Sequence, residues 1–181
     1  DNATLSGIYL PDAYLYQANF TNADISNARF GCGLLRRWKA VLLQTHYPCA
    51  VLNLAKFDGA DVYSADFSFS YLVKTTFSSL KNPLHVKFNN SALGQAEFTN
   101  IVDADFDFNG ALLADVKFVN VKDLDAKSFE NAELVDMDFS STDLGIYFDK
   151  MPKSTKMCRV KFPFIGIVTR DCGSILGTKK E

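Results

Sequence analysis

From Val86 to Asp125 the chain reads VKFNN SALGQ AEFTN IVDAD FDFNG ALLAD VKFVN VKDLD, eight consecutive groups of five. The third places hold Phe88, Leu93, Phe98, Asp103, Phe108, Leu113, Phe118 and Asp123, and a small or aliphatic residue stands two places before most of them. A period of five matches neither the 3.6 residues of a helical turn nor the alternation of a strand. Neither an amphipathic helix nor a flat sheet would keep the third places on one side. A chain that turns a corner every five residues would.

The same pattern runs outward in both directions. Before it stand ATLSG IYLPD AYLYQ ANFTN ADISN ARFGC GLLRR from Ala3, and AVLNL AKFDG ADVYS ADFSF SYLVK TTFSS from Ala50. After one extra residue, Ala126, come KSFEN AELVD MDFSS TDLGI, ending at Ile146. Together these make 25 groups, or 125 of the 181 residues.

This pattern resembles the pentapeptide-repeat family. The resemblance implies an all-β fold, a right-handed quadrilateral β-helix solenoid with four pentapeptides per coil and about six coils. The third-place Leu or Phe and the Ala before it would point inward, and the other three positions would face water. Residues 20 apart should then stack, as Phe57 and Phe77, Phe88 and Phe108, and Phe98 and Phe118 are spaced to do; Phe129 and Phe139 extend the last two ladders by 21. Burying each ring is worth roughly 1.5–3 kcal/mol. The repeat domain is placed at 3–146, with loop insertions at about 38–49 and 80–85. A non-repeat C-terminal cap or dimerisation segment, 147–181, offers a surface for a homodimer.

Composition agrees with one domain or one short solenoid, at 48% hydrophobic and 22% charged residues. The apolar run from Phe162 to Val168 is broken by Pro163 and Gly166 and falls short of the roughly 20 residues of a spanning helix, so no membrane span is predicted. A net charge of −2 favours no direct contact with nucleic acid or acidic lipid. The total hides an asymmetry. Residues 100 to 149 hold twelve Asp and Glu against Lys117, Lys122 and Lys127, whereas residues 150 to 181 hold eight Lys and Arg against Asp171 and Glu181.

In a solenoid, function concentrates where the repeat breaks or on an exposed face. The first break follows Arg37. Arg36, Arg37, Trp38 and Lys39 form a candidate partner-binding edge, since Trp and Arg are enriched at interface hot spots. Trp38, Leu42 and Leu43 folding back on the coil is the competing reading. The second, LKNPLH at 80 to 85, reads as a surface loop because Pro83 is excluded from a central ladder position. His85 and His46 have no evident nucleophile or acid partner in sequence, so a nucleophilic triad is poorly supplied. The third is the pair Asp103 and Asp123, which take places that elsewhere hold Leu or Phe. Buried carboxylates are costly. A local bulge is therefore expected to swing them outward, with Val102 and Leu124 supplying the apolar group; a metal or acid-pair site is the minority reading. With Asp105, Asp107, Asp115 and Asp125 they form a candidate acidic face. The fourth is the chain end, where FPFIGIV is expected to cap or dimerise the coil and Lys150, Lys153, Lys156, Arg159 and Lys161 to rest against the acidic coils. The first coil reads as uncapped, which implies residues before Asp1.

Cys32, Cys49, Cys158 and Cys172 lack CxxC spacing and form two sequence-local candidate disulfides, with reduced buried thiols as the alternative. Asn2, Asn19 and Asn89 begin N-x-[ST] sequons in an Asn-rich repeat, where chance matches are expected. No metal-ligand cluster, phosphate-cradling loop or nucleophile motif is present, so no cofactor, metal or catalytic residue is assigned and an enzyme ranks last. The leading expectation is a non-enzymatic protein–protein recognition or scaffold module with a protein partner, in a larger protein such as a bacterial effector. Alternatives are a DNA mimic that binds topoisomerases and protects against quinolones, and a lumenal or periplasmic repeat protein of unknown role. The compartment stays open among these.

Overall fold

A five-residue period closes on itself after four groups, and a computed structural model of the chain, describing residues 3–11, 13–31, 50–141 and 144–175, has this four-sided form. Each side is a short extended segment that pairs in parallel with the equivalent side of the next coil. The first side stacks Thr4, Asp24, Asp61 and Lys81; the second stacks Tyr9, Arg29, Asp66, Lys87 and Asp107. The third carries Tyr14, Val51, Tyr71, Ala92, Leu112, Glu133 and Lys156, and the fourth Asn19, Lys56, Thr76, Glu97 and Lys117. Where pairing extends further it forms β1 (Thr76–Ser78), β3 (Glu97–Ile101) and β6 (Lys117–Val121) on the fourth side, and β2 (Val86–Lys87) with β4 (Phe106–Asp107) on the second. The third side gains β5 (Leu112–Ala114), β7 (Glu133–Val135), β8 (Lys156–Phe162) and β9 (Gly166–Arg170).

The interior follows from which group faces which. The second and fourth sides present Phe, and the first and third present aliphatic residues such as Ile25, Val62, Leu52, Leu72, Leu93, Leu113 and Leu134, all fully buried. The expected ring pairs stack: Phe57 on Phe77 at 4.9 Å, Phe88 on Phe108 at 5.1 Å and Phe98 on Phe118 at 5.2 Å between centroids. This spacing is close to that of hydrogen-bonded strands, so the backbone ladder holds each ring at contact distance from the next. The two Phe ladders also meet edge to face, as in Phe88 and Phe98 at 5.6 Å.

Most corners place their fifth residue in the left-handed region, as in Asn22 (φ 57), Gly59 (φ 67), Asn90 (φ 55), Gly110 (φ 69) and Asn120 (φ 53). Only Gly adopts this freely, and Asn and Asp tolerate it best. The turn is closed by backbone bonds such as Ala23 N–H to the Phe20 carbonyl at 2.9 Å. Second-place carboxylates and amides add a local bond, as when Asp107 Oδ1 accepts the Asn109 N–H at 2.9 Å.

Two departures from the repeat stay joined to the wall. Residues 80 to 85 are exposed at Lys81, Asn82, Leu84 and His85 but tied to the wall: Lys81 N–H donates to the Ala60 carbonyl, Asp105 N–H to the Pro83 carbonyl, and Leu80 and Pro83 are buried. Pro83 needs no donor because its carbonyl alone joins the ladder. The segment after 147 also keeps the wall. β8 pairs in parallel with β7, with Leu134 opposite Met157, and only then does β9 turn back antiparallel and cover β8. Arg36, Arg37, Trp38, Lys39, His46, Cys32 and Cys49 lie outside the described residues.

Candidate functional site

Stacking by about 20 residues puts opposite charges on neighbouring coils, and several pair. Lys117 Nζ lies 2.9 Å from Glu97, Lys156 Nζ 2.8 Å from Glu133, and Lys161 Nζ 3.4 Å from Asp138. Arg159 grips Asp136 with two nitrogens, each at 2.6 Å. The basic segment thus rests on the acidic coils through Lys156, Arg159 and Lys161. The Arg159 guanidinium holds the Asp136 carboxyl below the ordinary carboxylate value; hydrogen bonding from Ser140, then Lys161, does the same for Asp138.

A depressed folded value stabilises the protein above the ordinary carboxylate range and is lost as pH falls through it. Melting temperature should therefore drop as pH falls below about 4, and Asp136→Asn should flatten that dependence. An unchanged profile in the variant would remove Asp136 from the account.

The charges of the first side behave differently. Leu80 to His85, Ile101 to Asp105 and Val121 to Asp125 lie in successive coils, and in each the chain bends early, with Asn82 (φ 47), Asp103 (φ 55) and Asp123 (φ 66) in the left-handed region. The early bend is the bulge expected from the sequence, and it turns both Asp103 and Asp123 to solvent. The apolar groups that replace them are Ile101 with Ala104, and Val121 with Leu124, all buried. Val102, expected to fill the gap, is instead 55% exposed. An inward Val102 would need Ile101 to give up its place in the ladder with Val121. Asp123 accepts the Asp103 N–H at 3.4 Å, so these carboxylates serve the wall of the neighbouring coil.

The outcome is an acidic ridge, formed by Asp103, Asp105, Asp107, Asp123 and Asp125. His85, which had no partner visible in sequence, places Nδ1 2.7 Å from Asp105 and its ring 6.0 Å from Tyr63. Among the described residues, Asp103, Asp107, Asp123 and Asp125 have no Lys or Arg within ion-pair distance. Asp115 does not join them: it stands at another corner, with its N–H on the Val135 carbonyl and its carboxylate beside Gln95. Below the ridge an open groove of about 690 Å³ is lined by Asn120, Lys122, Asp123, Leu144 and Gly145. Sequence reasoning treated LKNPLH and the Asp pair as separate departures. The 21- and 20-residue steps from Asn82 to Asp103 to Asp123 were the signal that they are one column.

At the far end, Phe164, Ile165 and Ile167 form an apolar tip on the β8–β9 hairpin, with Phe164 89% exposed. Cys158 and Cys172 are joined in a disulfide. Among the described residues no three His, Cys, Asp or Glu side chains cluster as a metal site requires, and no helix is long and apolar enough to cross a membrane.

The family model described as Pentapeptide repeats (8 copies) matches residues 1–31. No curated protein matches the chain. Among solved structures, the plasmid-mediated fluoroquinolone resistance protein QnrB1 is similar at 14% identity, covering 87% of each chain with a TM-score of 0.35. HetL, a pentapeptide repeat protein involved in heterocyst differentiation regulation from the cyanobacterium Nostoc sp., is similar at 17% identity over 93% of this chain and 65% of its own, with a TM-score of 0.28. A pentapeptide repeat protein from the cyanobacterium Cyanothece, Rfr23, gives 14% identity over 90% and 86%, with a TM-score of 0.27. Scores this low carry no argument about role. The five-residue period, the four-sided coil it builds and the family match at its start agree: residues 1–31 carry pentapeptide repeats, and the coil continues the same period beyond them.

Proposed function

We propose that this chain is a non-enzymatic recognition module, a stiff coil that presents the acidic ridge to a basic surface of a protein partner. The observation that supports it is the contrast in charge pairing. Glu97, Glu133, Asp136 and Asp138 meet Lys or Arg one coil away, while Asp103, Asp107, Asp123 and Asp125 stand exposed without a basic partner among the described residues. Exposed carboxylates in a row raise the local potential, which steers and orients a basic partner more than it adds raw affinity.

The ridge is short. It occupies one corner of two to three coils and is followed by the basic residues of β8, which pair with their acidic neighbours. That distribution argues against a DNA mimic, which needs a rod negative along its length.

The test replaces Asp103, Asp105, Asp123 and Asp125 by Asn together. These side chains are exposed, so circular dichroism should be unchanged, and proteins cross-linked to the parent chain should be lost from the variant. Retention of the same cross-linked set by the folded variant would remove the ridge from the reading.

A further inference from the structure

The disulfide between Cys158 and Cys172 is asymmetric. Cys158 lies on β8 and is fully buried, whereas Cys172 opens α1 (Cys172–Ile175) and is partly exposed. Their Cα atoms are 4.6 Å apart. A thiolate attacks a disulfide along the line of the two sulfurs, so access selects the sulfur that is hit, and the other must leave as a thiolate. Here the partly exposed residue is Cys172, which directs attack to its sulfur.

The leaving side is prepared by its neighbour. Arg159 directs Nε and Nη2 to Asp136 and its third nitrogen, Nη1, to Cys158 Sγ at 3.9 Å. A fixed guanidinium beside a departing sulfur stabilises its negative charge, and a better leaving thiolate leaves faster. Asp136 fixes the guanidinium in place and also partly offsets its charge.

The wall does not depend on the bridge. β8 is held to β7 by the parallel ladder and by the Glu133 and Asp136 ion pairs. β9 is anchored by Arg170, whose guanidinium donates to the Thr155 carbonyl at 2.7 and 2.9 Å. The bridge joins the α1 end to β8.

We propose that Cys158–Cys172 is a thiol–disulfide exchange site for low-molecular-weight thiols, attacked at Cys172 with Cys158 as the leaving thiolate, and that its opening loosens α1 on β8. In the first step a thiolate bonds to Cys172 Sγ, the S–S bond breaks and its electron pair stays on Cys158. A second thiolate then attacks the sulfur of the bound thiol, leaving the Cys172 thiolate and the oxidised disulfide of the reagent; both protein thiolates take protons from water.

The test exposes the full chain to glutathione, quenches with acid and maps the adduct by peptide mass. The mixed disulfide should sit on Cys172, and a predominant adduct on Cys158 would overturn the proposal. Arg159→Gln should slow reduction by about 3- to 10-fold, while Asp136→Asn, which breaks the same ion pair but keeps the guanidinium, should not slow it. Equal effects of the two variants, or none from Arg159→Gln, would sink the leaving-group role. Hydrogen exchange in the reduced chain should rise over residues 171–175 and not over β8; a rise over both would show that the bridge holds the wall as well.

Discussion

Phe98→Ala is expected to lower stability by about 4 kcal/mol, in the middle of the range for removing a fully buried ring. Phe98 stacks between Phe77 at 4.8 Å and Phe118 at 5.2 Å, and meets Phe88 and Phe108 edge to face at 5.6 and 5.8 Å. The backbone on either side is held by ladder bonds to both neighbouring coils, so the walls cannot collapse into the space left behind. A void at the centre of both ladders follows. Urea denaturation should show the loss as a lower midpoint, while Tyr9→Ala, at a side chain 53% exposed, should stay within about 0.5 kcal/mol of the parent. Similar midpoints for the two variants would mean that the rings do not carry the core.

Gly59→Val should cost about 2 kcal/mol or more, for a different reason. Gly59 has φ 67, and a Cβ added there would run into the Asn22 side chain of the coil before it. A β-branched residue pays both for the left-handed backbone and for displacing that amide. Gly94→Ala makes the contrast, because its backbone is outside that region and its new Cβ would meet only Val73 methyls at 3.8 Å. It should be neutral or mildly stabilising, by up to about 1 kcal/mol. Equal thermal shifts for the two substitutions would contradict the assignment of these corners.

The sequence disclosed most where one residue type recurs at one place. Phe57, Phe77, Phe88, Phe98, Phe108 and Phe118 announced their stacking by spacing alone, because an interior with four walls has one way to align a period of five. The corners were less legible. Asn22, Asn90, Asn100 and Asn120 stand at fifth places, yet Leu54, Phe69 and Lys74 share the same backbone with φ near 60°, so composition alone does not mark the position. Conformation there is imposed by the ladder on both sides.

The acidic residues show the limit most plainly. Asp103, Asp115 and Asp136 look alike in a list of carboxylates, but one lies on an exposed ridge, one beside Gln95, and one under a guanidinium. Which neighbour each acquires depends on the accumulated length of the chain between coils. A single extra residue, as at Ala126, changes the spacing to the partner across it, from 20 residues to the 21 between Leu112 and Glu133. The Cys158–Cys172 pairing was legible as a candidate, since the two lie 14 residues apart, but the Arg159 beside it was not.

One ladder carries a wider consequence. Along the third side, Tyr14, Val51, Tyr71, Ala92, Leu112, Glu133 and Lys156 are paired in order although successive steps span 37, 20, 21, 20, 21 and 23 residues. An extra residue can be taken up by a local turn, as in the 3-10 turn Ala126–Phe129; in a regular extended side it would turn the inward face outward. Genes for such coils are therefore free to drift in length at the corners while the ring stack stays the same. Comparison by straight alignment will undercount their kinship, and comparison corner by corner will recover it.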